Sequence, residues 1–344
     1  MEKIGQFGGK YLPWHIGHIT AAQKALSYVD KLYIILFFNE KLDNEICKID
    51  GCKPMPKDLR KAWIGNSIQS LKQFGNVELL EIEYDETEYD WEKGCNKVKE
   101  KIPNLTHVFS SEANYDNYFK KYYPECEHIF LDIDRSAVNI CSSKIRKNPY
   151  ENWHYMNQVV RKHFVKKICI TGTESTGKST LTALLESHFK TKGIQEVGRE
   201  WCIKYDNNLT IDMFNEIAIK NQFFQDNSLE MCNKYLFIDT DAVVTQYYLY
   251  QYHQKSSSLI NSIIDRQEFN LFLYCKPNIE WTQDNWGHRF LGGVEERKKC
   301  DDLLLNMYKD AYGQNYINKH FKFIDADNYK DRLQQAIQFV LESK

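Results

Sequence analysis

The segment Gly172-Thr173-Glu174-Ser175-Thr176-Gly177-Lys178-Ser179 constrains this chain more than any other, because it follows the apolar run 167–171 and opens a helical stretch. Strand, glycine-bounded loop and helix in that order fit G-x-x-x-x-G-K-[ST]. The glycines let successive backbone N–H groups turn inward around phosphate oxygens, and the following helix adds its positive end. Lys178 reaches the outer phosphates, and the Ser179 hydroxyl suits a Mg²⁺ ion. Gly172, Glu174, Ser175, Thr176, Gly177, Lys178, Ser179 and Thr180 are therefore expected to bind ATP. A plain glycine turn before a core helix is the alternative.

Such a loop needs a carboxylate at the end of a neighbouring strand to anchor the metal. The run 235–241 offers Asp239 and Asp241. Asp239 is read as the metal-site acid. Asp241, on the same side of an extended chain by its period of two, is read as the group that orients or deprotonates an attacking hydroxyl. Both acids capping the next helix is the competing reading. Further on, Asp284, Arg289 and Arg297 stand in a glycine-containing, aromatic-rich segment. Guanidinium groups there suit a lid over a transferring phosphoryl group, and a solvated charged face explains them equally well.

At 344 residues the chain exceeds one ordinary domain of roughly 150 residues. Short apolar runs at 32–38, 77–82, 106–110 and 128–132 alternate with helical patterns, as do runs at 167–171, 235–240, 269–275 and 321–326. Two parallel-sheet α/β domains are predicted, 1–160 and 165–344, separated by a polar and aromatic stretch at 147–166. Residues 56–74 read as an amphipathic helix with Leu59, Ala62, Trp63, Ile68 and Leu71 on its apolar face. With 42% hydrophobic and 27% charged residues the chain should fold throughout, and a net charge of -2 offers nucleic acid no general attraction. No apolar run approaches the ~20 residues that span a bilayer. The ten cysteines are scattered without paired metal-ligand spacing, Cys47 and Cys52 included, which points to reduced thiols in the cytoplasm.

The first half has its own phosphate signature. Gly9-Lys10-Tyr11-Leu12-Pro13-Trp14-His15-Ile16-Gly17-His18 precedes a helical stretch at 19–29. Where a strand hands over to a helix, His15 and His18 can donate to triphosphate oxygens, and Gly17 allows close approach. A second segment, Ser142-Ser143-Lys144-Ile145-Arg146, brings hydroxyls suited to a helix N-cap and cations suited to the same phosphates. Gly9, Lys10, Tyr11, His15, His18, Ser142, Ser143 and Arg146 are the ATP-binding candidates of this half. A packed turn is the bland reading of the two histidines.

These segments resemble the nucleotidylyltransferase superfamily, whose members carry H-x-G-H early and an I-S-x-T-x-I-R-like segment late in one Rossmann-like domain. The late segment here is Ile140-Cys141-Ser142-Ser143-Lys144-Ile145-Arg146, with Cys141 in place of the usual serine, Ser143 in place of threonine, and the arginine kept. Joined in this order to a P-loop kinase domain, the chain resembles the bifunctional NadR family, nicotinamide mononucleotide adenylyltransferase with ribosylnicotinamide kinase. Supporting matches are Ser110-Ser111-Glu112-Ala113-Asn114-Tyr115, Gly198-Arg199-Glu200 and Phe237-Ile238-Asp239-Thr240-Asp241.

The resemblance implies two reactions that use ATP as co-substrate and Mg²⁺ as cofactor. In one, the 5′-phosphate of nicotinamide mononucleotide (NMN) attacks the α-phosphate of ATP, giving NAD, with His15, His18, Lys10, Ser143 and Arg146 neutralising charge. In the other, the 5′-hydroxyl of ribosylnicotinamide takes the γ-phosphoryl group. There Lys178 is catalytic, Ser179 and Asp239 hold metal, and Asp241, Glu174 and Glu200 compete for the hydroxyl. Glu112, Tyr115, Arg199, Glu200, Asp284, Arg289 and Arg297 are the substrate and lid candidates. Trp91 and Trp281 are candidates to stack on nicotinamide or adenine. The early position of His15 makes the repressor domain of some members, and a DNA-binding role, unexpected. Homo-oligomerisation is left open. Other acceptors for both reactions, and an ATP or NAD sensor with little turnover, are the rival readings.

Overall fold

In the computed structural model, residues 2–84, 91–134, 136–279 and 293–343 are described. The chain divides into two compact units, Met1–Phe164 and Val165–Lys344. No helix among the described residues is long and apolar enough to cross a membrane.

The first unit holds strands β1 (Ile4–Gly9), β2 (Lys31–Phe38), β3 (Asn76–Glu83), β4 (His107–Ser110) and β5 (Glu127–Phe130). All pair in parallel, in the order β3-β2-β1-β4-β5. The chain builds outward from β1 through β2 to β3, then returns to the other side of β1 with β4. The strand order thus reverses between β1 and β4, and a crevice opens at their carboxyl ends. The apolar β2 run is buried there, together with Ile82, Val98 and Val108. Strand β1 does not read as a strand in sequence because Gly5, Gly8 and Gly9 interrupt it. Space explains the first of these: a Cβ on Gly5 would lie 2.5 Å from the Phe109 ring.

The helix predicted at 56–74 runs Lys57–Leu71, with Trp63, Ile68 and Leu71 buried as expected and Ala62 exposed instead. Its inner face also carries Arg60, 0% exposed. The stretch 147–166 is more than a separator, since it forms the helix Gln158–Phe164 and buries Trp153 and Val160.

The second unit contains β6 (Lys166–Thr171), β7 (Lys192–Ile194), β8 (Tyr235–Asp239), β9 (Leu271–Cys275) and β10 (Phe321–Ile324). This sheet is also parallel, ordered β10-β9-β6-β8-β7. Strand β7 is too short and polar to read in sequence. Strand β8 stops at Asp239, one residue before the prediction, because Thr240 is left-handed at φ 68°.

Candidate functional site

In the first unit the chain leaves β1 through Lys10 and a left-handed Tyr11 (φ 51°), and His15 caps the helix Ile16–Leu26 in an extended conformation. The His15 backbone N–H donates to His18 Nδ1 at 3.3 Å, and the two rings stack with centroids 3.7 Å apart. Glycine at 17 makes room for this stack, since a Cβ there would lie 3.0 Å from the His15 ring and 3.3 Å from Ile140. Trp14 stacks on His18 at 5.2 Å and is itself pinned by a 2.9 Å bond from its indole N–H to Ser67. The H-x-G-H spacing thus fixes both imidazoles at a helix start.

The late segment forms the short helix Ser142–Lys147, and its hydroxyls do not cap it. Cys141 holds the cap position, and its side chain does not cap the helix. Ser142, one residue inside, donates instead to the Pro13 carbonyl at 3.0 Å, and Ser143 lies 3.1 Å from the Cys141 thiol. The Ser142 bond ties the late segment to the early one. Arg146 strengthens that tie: Nε donates to Asp50 at 2.7 Å and Nη1 to the Leu12 carbonyl at 2.5 Å.

Lys10 lies 3.9 Å from Asp43, which is 1% exposed and bonded at 2.8 Å to the buried Arg60. The second guanidinium nitrogen of Arg60 donates to the Lys10 carbonyl at 2.8 Å. Burial lowers the Lys10 pKa and the Asp43 charge opposes that shift.

Gly9, Lys10, Tyr11, His15, His18, Ser142 and Arg146 all line one cavity of ≈ 480 Å³. Glu112, Tyr115 and Trp91 line it too, whereas Ser143 is not on its wall. Trp91 stacks on Tyr118 at 4.5 Å. One feature of the wall escapes the sequence: Ser110 Oγ lies 2.9 Å from His128 Nε2, and His128 Nδ1 lies 2.9 Å from Asp116.

In the second unit β6 runs straight into the phosphate loop. Gly172 adopts φ +136°, and a Cβ there would meet the Cys275 carbonyl at 2.5 Å, so only glycine fits. Lys178 is buried and donates from Nζ to the Thr173 carbonyl at 2.8 Å; Thr176 Oγ1 donates to the same carbonyl at 2.8 Å. The loop is held from outside by Arg332, 1% exposed. It donates to the carbonyls of Thr176 (2.7 Å), Lys276 (2.8 Å) and Ala326 (2.8 Å). Arg297 reaches the Ser175 carbonyl at 3.4 Å and the Ile279 carbonyl at 3.0 Å. Asp284, Arg289 and Trp281 lie outside the described residues.

Strand register sets Asp239 beside Ile170, at the end of β6. Asp239 is 0% exposed, and neither carboxylate oxygen has a hydrogen-bond partner among the described residues. Burial and the nearby Glu196 carboxylate push its pKa up to about 6, against the pull of Lys178, Ser179 and Arg199. Ser179 Oγ in turn accepts a 3.1 Å bond from Arg199.

Asp241 does not share this environment. The left-handed Thr240 breaks the period of two, and Asp241 turns back to cap the helix Ala242–His253. Its Oδ1 accepts from Val244 N–H (3.1 Å) and from the Tyr308 hydroxyl (2.8 Å). Burial raises its pKa to about 6, with the Tyr308 bond opposing. The capping reading holds for Asp241, and Asp239 alone points at the loop. Glu200 pairs with Lys220 at 3.0 Å on the surface. Glu196, which the sequence did not single out, lines a narrow cleft of ≈ 20 Å³ with Phe214, Asn221, Tyr248 and Tyr252.

Among the described residues no group of three or more His, Cys, Asp or Glu forms a metal cluster. Mg²⁺ does not need one, because it takes one or two protein oxygens and shares the rest with phosphates and water. Asp239 and Ser179 are hard oxygen donors, and the two carboxylate oxygens without partners fit such an ion.

Comparison with known proteins agrees with both halves. Residues 167–322 match the family model described as AAA domain. The chain is 28% identical over 354 aligned positions to the "Trifunctional NAD biosynthesis/regulator protein NadR" of Salmonella typhimurium, covering 99% of this chain and 83% of that protein. The Escherichia coli protein of the same description is 28% identical over 355 positions, with the same coverage. Among solved structures, a NadR protein in complex with NR superposes with a TM-score of 0.76 at 22% identity, covering 100% of this chain and 96% of that one. A second, in complex with NAD and AMP-PNP, gives 0.75 at 21% with the same coverage. Fold and sites define a nucleotidylyltransferase-like α/β domain followed by a P-loop kinase-like α/β domain. Over nearly its whole length the chain is similar to NadR proteins.

Proposed function

We propose that this chain makes NAD from ribosylnicotinamide in two ATP-dependent steps, one in each unit. The second unit phosphorylates ribosylnicotinamide to NMN; the first transfers an adenylyl group from ATP to NMN, releasing pyrophosphate.

The kinase assignment is carried by Asp239, a buried carboxylate without hydrogen-bond partners, set by strand register beside the phosphate loop. A sensor has no need to keep such a group, and its burial is unfavourable unless a cation answers it. Mg²⁺, when bound by Asp239 and Ser179, would neutralise phosphate charge. Lys178 sits ready to leave the Thr173 carbonyl for the outer phosphates, where it stabilises charge spreading over the transferred group. The 5′-hydroxyl attacks the γ-phosphorus as the bond to the β-phosphate oxygen breaks. Glu196 lies close enough to Asp239 to raise its pKa and shares a narrow cleft wall with Phe214 and Tyr248, which we assign to the nucleoside side of the site. With Asp241 held through Oδ1 in its helix cap and Glu200 paired with Lys220, we favour Glu196 and Glu174 to receive or orient the hydroxyl.

In the first unit the reacting groups are both anions, so the protein aligns them and offsets their repulsion. Lys10 and Arg146 supply that positive surface on one cavity, the stacked imidazoles of His15 and His18 line it as polar partners, and Trp91 and Tyr115 offer ring faces on its wall. The mononucleotide phosphate attacks the α-phosphorus and the bond to the pyrophosphate oxygen breaks, with no protein nucleophile. Both steps draw on ATP, and we place them in the cytoplasm. Incubating the protein with ATP, Mg²⁺ and ribosylnicotinamide should produce NMN first and NAD after a lag, read by product mass. Turnover of another nucleoside in place of ribosylnicotinamide would overturn the substrate assignment.

A further inference from the structure

The helix Glu40–Ile49 and the residue that follows it present Asp43, Cys47 and Asp50 at spacings of four and three, which places them on one face. Asp43 and Cys47 are buried, and the Asp50 side chain is 9% exposed. The two carboxylates of this face stand behind the two cations of the first cavity, Asp43 behind Lys10 and Asp50 behind Arg146.

Asp50 is in an unfavourable place. It caps the carboxyl end of its helix, where the dipole repels negative charge, and most of its surface is removed from water. Its cap bonds are made by its backbone N–H, so the side chain is not needed for them. What the side chain does is take Arg146 Nε at 2.7 Å, with Lys147 Nζ 3.9 Å from its other oxygen, while the Leu12 carbonyl takes Nη1 at 2.5 Å. A guanidinium gripped at two nitrogens cannot swing, and Arg146, so held, lines the cavity.

We infer that Asp50 is a positioning residue for adenylyl transfer, acting through Arg146. The inference rests on the reading of this cavity as the adenylyl-transfer site. It makes an unusual kinetic demand, because two effects of Asp50→Asn oppose each other. Removing a negative charge from behind Arg146 increases the attraction for ATP, which lowers or preserves its KM. Releasing the guanidinium misplaces the donor in the transition state, which lowers kcat; misplacement by about 1 Å costs on the order of 10².

The test is a double-mutant cycle on the full chain, with Asp50→Asn, Arg146→Ala and both together, assayed for NAD formation from NMN and for phosphorylation of ribosylnicotinamide. Asp50→Asn should lower kcat by about 10- to 100-fold without raising the KM for ATP. In the Arg146→Ala background the same change should cost less than about twofold, because neighbours that act together are not additive. Nucleoside phosphorylation should be unchanged throughout. Should Arg146→Ala leave NAD formation intact, the reading of the cavity fails. Should Arg146→Ala be slow while Asp50→Asn behaves as wild type, or while the two losses multiply, Asp50 does not act through Arg146 and the inference is overturned.

Discussion

The two proposed phosphate sites are built in opposite ways. In the second, the grip is backbone: a glycine-bounded loop wraps inward, Arg332 holds the loop carbonyl of Thr176 from behind, and Lys178 donates to the Thr173 carbonyl within the loop. In the first, the grip is side chain: Lys10, Arg146 and two stacked imidazoles, with carboxylates behind the two cations. Negative charge is also handled differently. Asp43 and Asp50 of the first unit are answered by protein cations, whereas Asp239 of the second is buried without a hydrogen-bond partner. A carboxylate satisfied by the protein can aim a cation, and one left unsatisfied is the kind of group the proposed Mg²⁺ would answer.

The largest effect that separates the two grips is Asp239→Asn. It should lower nucleoside phosphorylation by at least about 10³ while leaving adenylyl transfer alone. It should also make the metal-free protein more stable at pH 8, by on the order of 1–3 kcal/mol, since a buried carboxylate charge beside Glu196, only partly offset by Lys178 and Arg199, is removed. The sign follows from the pKa. Asp239 titrates at about 6 in the fold against an ordinary 3.8, so the folded state binds the extra proton and stability falls as pH rises from about 4 through 6. Asp241 adds to the same slope in the same window. Thermal melts of wild type and Asp239→Asn from pH 4 to pH 8 check both statements; a stabilising trend with rising pH would contradict them.

His18→Ala comes next, with adenylyl transfer down by about 10² to 10³ and kinase rates untouched. Arg332→Met attacks the backbone grip indirectly. It strands the buried carbonyl of Thr176 and the part-buried carbonyls of Lys276 and Ala326, and should cost about 3 kcal/mol of stability, seen as an earlier denaturant midpoint for the second unit. Gly17→Ala is the gentlest probe. Its methyl would press the His15 ring from 3.0 Å, and a roughly tenfold loss of adenylyl transfer with intact folding is expected.

What could be read in the sequence was whatever is local. The glycine-lysine loop and H-x-G-H each compress strand, turn and helix into a few residues, so pattern alone located them. Long-range partners were invisible: Arg146 and Asp50 meet across 96 positions, and Arg332 reaches Thr176 across 156. Asp43, Asp50 and Arg60 look like solvent-facing charges on polar helices, and only the fold turns them inward. Asp241 was misread because periodicity assumes an unbroken strand, which the left-handed Thr240 ends. Strand β1 was obscured by glycines that exist to admit neighbouring rings.

The central claim is that two separate sites on one chain work in sequence, and a single coupled assay tests it. Wild type, Lys178→Ala and His18→Ala are each given ATP, Mg²⁺ and either ribosylnicotinamide or NMN, and NMN and NAD are followed together. Lys178→Ala should make NAD from NMN at the wild-type rate and nothing from ribosylnicotinamide. His18→Ala should convert ribosylnicotinamide to NMN and stop there. Loss of both activities in either folded variant would contradict independent sites, and retained phosphorylation by Lys178→Ala would remove the phosphate loop from its assigned role.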